Sequence, residues 1–154
     1  PGATTHFSWR SNNLSVYKAF EHQHLIEIRH NIKTLEPQFG SEIHFVPVRG
    51  DFARGILAVT YTYSDLTEDE AYALYEKYYH DAPFTHVSHR NIDLKQVVNT
   101  NKALLHLEKH DDQLMIVSVI DNLLKGASGQ AVQNMNLIFG LPETTGLKLK
   151  ASAF

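Results

Sequence analysis

No cysteine occurs anywhere in the 154 residues, which excludes disulfides and any thiol nucleophile within this chain. Nor does a Gly-x-Gly-x-x-Gly follow a strand, so the phosphate-cradling turn of a dinucleotide-binding fold is missing. The longest uninterrupted apolar run falls far short of the roughly 20 residues that span a bilayer, and no Arg-rich or Leu-rich leader opens the chain. A membrane partner is therefore not expected, and the chain reads as cytoplasmic. Basic runs are absent as well: 14 Lys and Arg stand interspersed with 17 Asp and Glu, for a net charge of -3, which argues against nucleic acid as a partner. The hydrophobic content of 43% is ordinary for a globular protein and fills a single core, so residues 1–154 read as one domain. The opening Pro1-Gly2-Ala3 carries no initiator Met, which reads as the start of an excised or truncated C-terminal portion.

Periodicity then places the elements. Leu14 to Phe20 alternates as a strand does, and Leu25, Ile28, Ile32 and Leu35 recur at helical spacing until Pro37 and Gly40 stop the helix. Ile43 to Val48 predicts a short strand whose Pro47 suits an edge or an end, and Ile56 to Tyr63 a stronger one rich in β-branched and aromatic residues. Thr67-Glu68-Asp69-Glu70 is a capping box, with Ala71, Leu74, Tyr75 and Tyr78 lining one face of the helix it opens. Further strands are predicted at 84–88, 94–98, 103–108 and 113–119, the last two joined by a turn at 109–112. A final helix is predicted over 123–139, with Gly140 as its C-cap and Pro142 beyond, and the tail after Leu149 reads as loose. Short connections between neighbouring strands point to an α+β domain, a largely antiparallel sheet with helices on one face. Val59, Tyr61 and Tyr63 lie on one side of such a half-covered sheet, and that apolar surface predicts self-association.

The segment Asp121-Asn122-Leu123-Leu124-Lys125-Gly126-Ala127-Ser128-Gly129-Gln130-Ala131-Val132-Gln133-Asn134-Met135-Asn136 is the most informative. Asp121 and Asn122 are good N-cap types, so residues 125–130 are expected to form first turns whose free N–H groups favour an anionic or amide ligand. Asn122 has the donors and acceptor to meet an amide ligand, and Gly126, Ala127 and Gly129 are small enough to let a ligand or a neighbouring domain approach. A surface helix with small residues for close packing is the competing reading. Asn134 and Asn136 are expected to bond across a domain boundary. Upstream, His22 and His24 sit two apart at an expected strand end, from which both rings point to one side. From the residues alone the pair reads as exposed surface histidines, or as part of a metal site that needs further ligands, or as acid/base groups.

The Asp121–Asn136 segment resembles the C-terminal helix of N-acetyl-gamma-glutamyl-phosphate reductases, an NADPH-dependent family of arginine biosynthesis. Arg54-Gly55-Ile56-Leu57-Ala58 matches the family's strand entrance, and His22-Gln23-His24 resembles its His-Arg-His-x-Pro-Glu-Ile segment, so the resemblance runs from about Asn13 to Leu149. Gln23 stands where the family usually has Arg, and Ile26 where it usually has Pro. The resemblance implies a fold similar to the catalytic domain of glyceraldehyde-3-phosphate dehydrogenase. It also implies NADP as cofactor, held mainly by a domain absent from this chain, and assembly as a dimer or tetramer. The implied substrate is N-acetyl-gamma-glutamyl phosphate, reduced to N-acetyl-glutamate semialdehyde and phosphate through a cysteine thiolate that this chain lacks.

On that resemblance His24, with His22 second, is the acid/base, and Arg54 is a phosphate or carboxylate ligand whose planar fork suits either group. Tyr17 is a weaker substrate contact. Asn122, Gly126, Ala127 and Gly129 form half of a cofactor site, so the chain by itself is expected to be inactive and to bind NADP weakly. A relative of aspartate-semialdehyde dehydrogenase shares the same chemistry and remains an alternative. A non-catalytic oligomerisation or regulatory module is another, favoured by the missing nucleophile and by Gln23 and Ile26.

Overall fold

A computed structural model describes residue 2 and residues 6–151, and the termini beyond them, 152–154 of the expected loose tail included, lie outside the described residues. The backbone contacts gather into two compact units, Pro1–Ala53 and Arg54–Phe154, each with its own sheet.

In the first unit a short helix α1 (Phe7–Arg10) precedes β1 (Ser15–Val16), which pairs antiparallel with β2 (Val48–Arg49) in the register Ser15↔Arg49 and Val16↔Val48. Both strands are shorter than the expected 14–20 and 43–48. The cause is local: Lys18 and Phe20 adopt positive φ values of 45° and 63°, which turn the chain out of the ladder, and Pro47 has no N–H to give. Isolated bonds still tie the two segments together beyond the strands, from Tyr17 N–H to the Pro47 carbonyl at 3.1 Å and from Phe20 N–H to the Phe45 carbonyl at 2.9 Å. Helix α2 (His24–Leu35) follows, with Leu25 buried and Ile28 and Ile32 half-buried at helical spacing, while Leu35 is exposed. It ends because Glu36, which precedes Pro37, leaves helical geometry at ψ 89°.

The second unit is built on a four-stranded sheet in the order β3-β6-β5-β4. Strands β3 (Ile56–Tyr63), β5 (Ala103–His110) and β6 (Gln113–Ile120) pair antiparallel, and β4 (Thr85–Val87) pairs parallel with β5. The α+β class is the expected one, with a mixed sheet. The parallel pair arises because β4 reaches β5 through the long 88–102 connection rather than a hairpin.

Helix α3 (Glu68–Tyr79) packs on one face. Its capping box closes as read: Glu70 N–H donates to Thr67 Oγ1 at 3.3 Å, and Thr67 N–H to Glu70 Oε2 at 2.8 Å. The buried residues are Ala71 and Tyr72, packed with Leu107 and Leu114, whereas Leu74 and Tyr78 face outward. Tyr72 turns inward because the sheet offers acceptors to its phenol, the carbonyls of Leu107 at 2.9 Å and Ser88 at 3.1 Å.

On the opposite face Ile92 and Val97 cover Val117 and Val119. Burying each of these side chains contributes about 1.5–3 kcal/mol before ordering costs. Residues 94–98, expected as a strand, form instead a 3₁₀ turn (Leu94–Gln96) followed by a loop. Asp93 sets that turn by accepting the Lys95 N–H at 2.8 Å. The outer strand β3 remains uncovered: Val59, Tyr61 and Tyr63 are 50%, 70% and 75% exposed.

After β6 the chain enters a π-helical turn (Leu124–Ser128) and then α4 (Gly129–Ile138), where a single helix over 123–139 was expected. Gly140 follows with a φ of 67°, the left-handed geometry that ends helices, ahead of Pro142. Among the described residues no helix is long and apolar enough to cross a membrane.

Candidate functional site

The expected site residues fall into two clusters, one in each unit. In Pro1–Ala53, the turn after Phe20 places His22 half-buried against the Tyr17 ring at 5.5 Å and the Phe45 ring at 5.5 Å, both edge-on. The His22 and His24 rings lie 4.5 Å apart, so the His-x-His spacing does bring two imidazoles together. The pair is not at a strand end, because β1 stops at Val16 and His24 is itself the first residue of α2.

His24 N–H donates to His22 Nδ1 at 3.2 Å, which leaves the proton of a neutral His22 ring on Nε2. Burial first, then the charges of His24 and Lys18, hold the His22 imidazole below its ordinary pKa. The neutral form of His22 is thereby favoured. Tyr17 also carries the Arg49 guanidinium over its ring, 4.3 Å from the centroid. Periodicity gave no sign of that arginine as a member of the cluster; its pairing opposite Ser15 is what brings it there.

In Arg54–Phe154 the signature segment is organised by Asp121, a fully buried carboxylate at the end of β6. Its Oδ1 accepts the N–H groups of Leu123 at 2.8 Å and Leu124 at 2.9 Å, and its Oδ2 accepts the Asn99 N–H at 2.7 Å. The Arg54 guanidinium completes the set at 3.3 Å from Oδ2 and also donates to Asn99 Oδ1 at 3.0 Å. Burial alone would raise the Asp121 pKa, but the bonds from Asn99, Leu124, Leu123 and Arg54 outweigh it and hold the carboxyl below its ordinary value. Arg54, read from sequence as a substrate ligand, thus already has a carboxylate partner inside its own unit.

Asn122 Oδ1 accepts the Gly55 N–H at 2.7 Å, clamping the entrance of β3 to the exit of β6, and its amide nitrogen is the group left to meet a ligand. Gly126 and Ala127 are exposed. Gly129 is not available for close approach: it is buried, and a Cβ there would collide with Asn101 Oδ1 and lie 2.8 Å from the Leu124 carbonyl. The free N–H groups expected over 125–130 are partly spent as well. Gly126 N–H bonds the Asp121 carbonyl and Ser128 N–H the Leu123 carbonyl, both at 3.0 Å.

Asn136, expected to reach across a domain boundary, is instead buried within the unit and donates to the carbonyls of Glu143 at 3.1 Å and Thr145 at 3.0 Å. Beyond it Lys125 Nζ donates to Gln133 Oε1 at 2.9 Å and lies 5.8 Å from the Phe84 ring centroid. Burial lowers its pKa, against the opposing pull of Glu143. A broad surface depression lined by Ser64, Thr67, Glu68, Lys109 and Asp111 contains none of the expected site residues.

The chain as a whole is similar to known proteins. Residues 1–122 match the model of the family described as semialdehyde dehydrogenase, dimerisation domain. The chain is 62% identical over all 154 residues to the N-acetyl-gamma-glutamyl-phosphate reductase of Bacteroides fragilis, covering 48% of that protein. It is 61% identical over 154 residues to the reductase of that name from Bacteroides thetaiotaomicron, again 48% of it, and 59% identical over 152 residues to that of Christiangramia forsetii, 47% of it. The chain thus spans about half the length of the curated relatives it matches. With four-fifths of its length under one family model and the π-turn segment continuing directly from it, the chain belongs to the semialdehyde dehydrogenase dimerisation-domain family.

Proposed function

We propose that this chain is the C-terminal catalytic and dimerisation portion of an NADP-dependent N-acetyl-gamma-glutamyl-phosphate reductase, which converts N-acetyl-gamma-glutamyl phosphate to N-acetyl-glutamate semialdehyde and phosphate. The single observation that carries the reading is the 62% identity over the whole chain to a relative of that name. The paired imidazoles of His22 and His24 give it chemistry.

In this reading His24 takes the proton from the thiol supplied by the rest of the enzyme. The thiolate bonds to the acyl carbon as phosphate leaves. When hydride reduces the resulting thioester, His24 returns the proton to the thiohemiacetal oxygen, and it takes that proton back as the C–S bond breaks to release the aldehyde and the thiolate. An imidazole near neutrality suits each transfer. The His22 ring is held beside His24 by accepting that residue's backbone N–H at Nδ1, and the lowered pKa of the ring favours the neutral form.

NADPH, when bound, supplies the hydride. The residues fit it in part, because the Asn122 amide nitrogen and the exposed Gly126 and Ala127 offer a donor and an uncluttered surface for a carboxamide, while Gly129 does not. With no cysteine and no Gly-rich turn, the chain alone is expected to turn over no substrate. Cytoplasmic location, an assembly of two or four copies and a fold like that of the glyceraldehyde-3-phosphate dehydrogenase catalytic domain belong to the same proposal.

The deciding experiment is substrate profiling of the complete enzyme. NADPH oxidation should require N-acetyl-gamma-glutamyl phosphate and be at least about a hundredfold slower with aspartyl phosphate, a difference of about 2.7 kcal/mol in transition-state binding. Equal or reversed preference would make the protein an aspartate-semialdehyde-dehydrogenase relative, and no reduction of either would leave a non-catalytic module.

A further inference from the structure

We infer that Arg49, and not Arg54, is the oxyanion-binding residue of the histidine cluster, its guanidinium taking the carboxylate or phosphoryl oxygens of a small-molecule substrate beside His22 and His24. The two arginines differ in what their charge already does. Arg54 is engaged by buried Asp121 and by Asn99. Among the described residues no carboxylate, carbonyl or hydroxyl accepts from the Arg49 guanidinium, which lies over the Tyr17 ring. The nearest acid in sequence, Asp51, is turned to the Asn12 backbone N–H at 2.8 Å.

A guanidinium laid over an aromatic face keeps its N–H groups in its own plane, directed past the ring edge, and so remains able to grip two oxygens at once. The Tyr17 ring that carries it is the ring His22 meets edge-on at 5.5 Å, and His24 lies 4.5 Å beyond. One phenol thus brings a permanent cation alongside the imidazole pair.

The placement is fixed from the backbone. Arg49 sits opposite Ser15 in the β1–β2 ladder, and its carbonyl accepts from Arg10 Nη1 at 2.8 Å, so the side chain leaves from a braced position. Lys18 adds a positive charge near His22, a smaller cause of that ring's lowered pKa than its burial. A site with an arginine, a lysine and two imidazoles, in which the arginine has no internal carboxylate, is built to receive an anion. This deepens the reductase reading, on which it rests for the identity of the substrate but not for the binding of an oxyanion.

The test is a titration of this chain followed by NMR of the histidine ring carbons and the arginine Nε–H groups, with N-acetylglutamate as the carboxylate probe and inorganic phosphate as the phosphoryl probe. Saturable shifts at His22 and at the Arg49 Nε–H are expected with at least one probe. Shifts with N-acetylglutamate alone assign Arg49 to the carboxylate end of the substrate, and shifts with phosphate alone assign it to the phosphoryl end. Arg49→Gln should weaken binding by at least about tenfold, the equivalent of 1.4 kcal/mol, while Arg54→Gln leaves the titration unchanged. Should Arg49→Gln fail to fold, Arg49→Lys keeps the charge without the fork, and a loss of at least threefold is then expected. Absence of saturable shifts with both probes, or an Arg49 variant that titrates like the parent chain, overturns the assignment. Because no turnover is read, a chain that binds the anion while the complete enzyme fails to reduce the acyl phosphate would sink the reductase reading and leave this one standing.

Discussion

Replacing Asp121 by Ala should be among the most damaging single changes in Arg54–Phe154. Its buried carboxylate accepts three backbone N–H groups at 2.7–2.9 Å and the Arg54 guanidinium at 3.3 Å. A hydrogen bond to a charged group contributes about 1.5–3 kcal/mol, and loss of an N-cap alone costs about 1 kcal/mol. The terms do not add, since Leu123 is half exposed and can rehydrate its N–H, and Arg54, about one-third exposed, keeps some water. A loss of about 3–5 kcal/mol is therefore expected, in the range for breaking a buried charged pair.

Asp121→Asn should cost roughly half as much, about 2 kcal/mol, because its carbonyl oxygen can still cap Leu123 and Leu124 while its amide group opposes the Asn99 N–H and Arg54. Urea unfolding followed by far-UV circular dichroism reads both as shifts of the midpoint at constant slope. The folded-state pKa of Asp121 is depressed, so its stabilisation is present above the unfolded value of about 3.9 and is lost as pH falls through the lower folded value. The gap between parent and Asp121→Asn should accordingly be constant near neutrality and close as the medium is acidified below pH ~4. A loss under about 1 kcal/mol for Asp121→Ala, or a gap that does not narrow in acid, would refute the account of Asp121 as an ionised organiser of the segment.

In the complete enzyme His24→Ala should lower turnover by about two to four orders of magnitude with substrate affinity less changed, and His22→Ala should cost less; steady-state kinetics in which His24→Ala stays within about tenfold of the parent rejects His24 as the acid/base. Gly129→Ala should destabilise by about 1–3 kcal/mol because the methyl must displace the buried Asn101 amide, itself bonded to the Leu147 carbonyl at 2.9 Å; an unchanged thermal midpoint would contradict this. Self-association through the uncovered face of β3 should persist at tens of micromolar, roughly the range of standard interfaces, and Tyr61→Glu should weaken it; a monomer mass for the parent chain in sedimentation counts against the interface.

What the sequence reveals about the fold follows the range of the forces involved. The full length of β3, the β5–β6 hairpin and the capping box of α3 are written in patterns a few residues long, so they were legible. Residues 14–20 alternate as a strand should, but Lys18 and Phe20 take left-handed backbone angles that alternation does not encode. At 94–98 the apolar pattern was right about burial, since Val97 is buried, and wrong about conformation, because Asp93 stabilises a local turn that competes with extended backbone. The site divides in the same way. The histidine pair is a short-range motif, and the structure brings the two rings together. The partner of Arg54 is Asp121, 67 residues further on, and that of Arg49 is Tyr17, reached only through strand pairing. Neither spacing leaves a periodic trace.

The wide turn at Leu124–Ser128 amounts to a helical stretch holding one residue more than a regular coil would. Each residue of an α-helix rotates the chain by about 100°, so the surplus residue offsets the angular phase of everything before it relative to everything after. Asn122 and Lys125 are set by the clamp at the end of β6, while Gln133 and Asn136 keep step with α4 and its contacts to the 142–147 segment. Deleting a single residue between Lys125 and Ser128 would bring the two halves into one continuous spiral, at the expense of facing either the amide end or the buried-asparagine end the wrong way. Insertions and deletions here should therefore be far less tolerated than substitutions, and a helical wheel drawn straight through 123–139 misassigns one side of this segment by roughly a quarter turn.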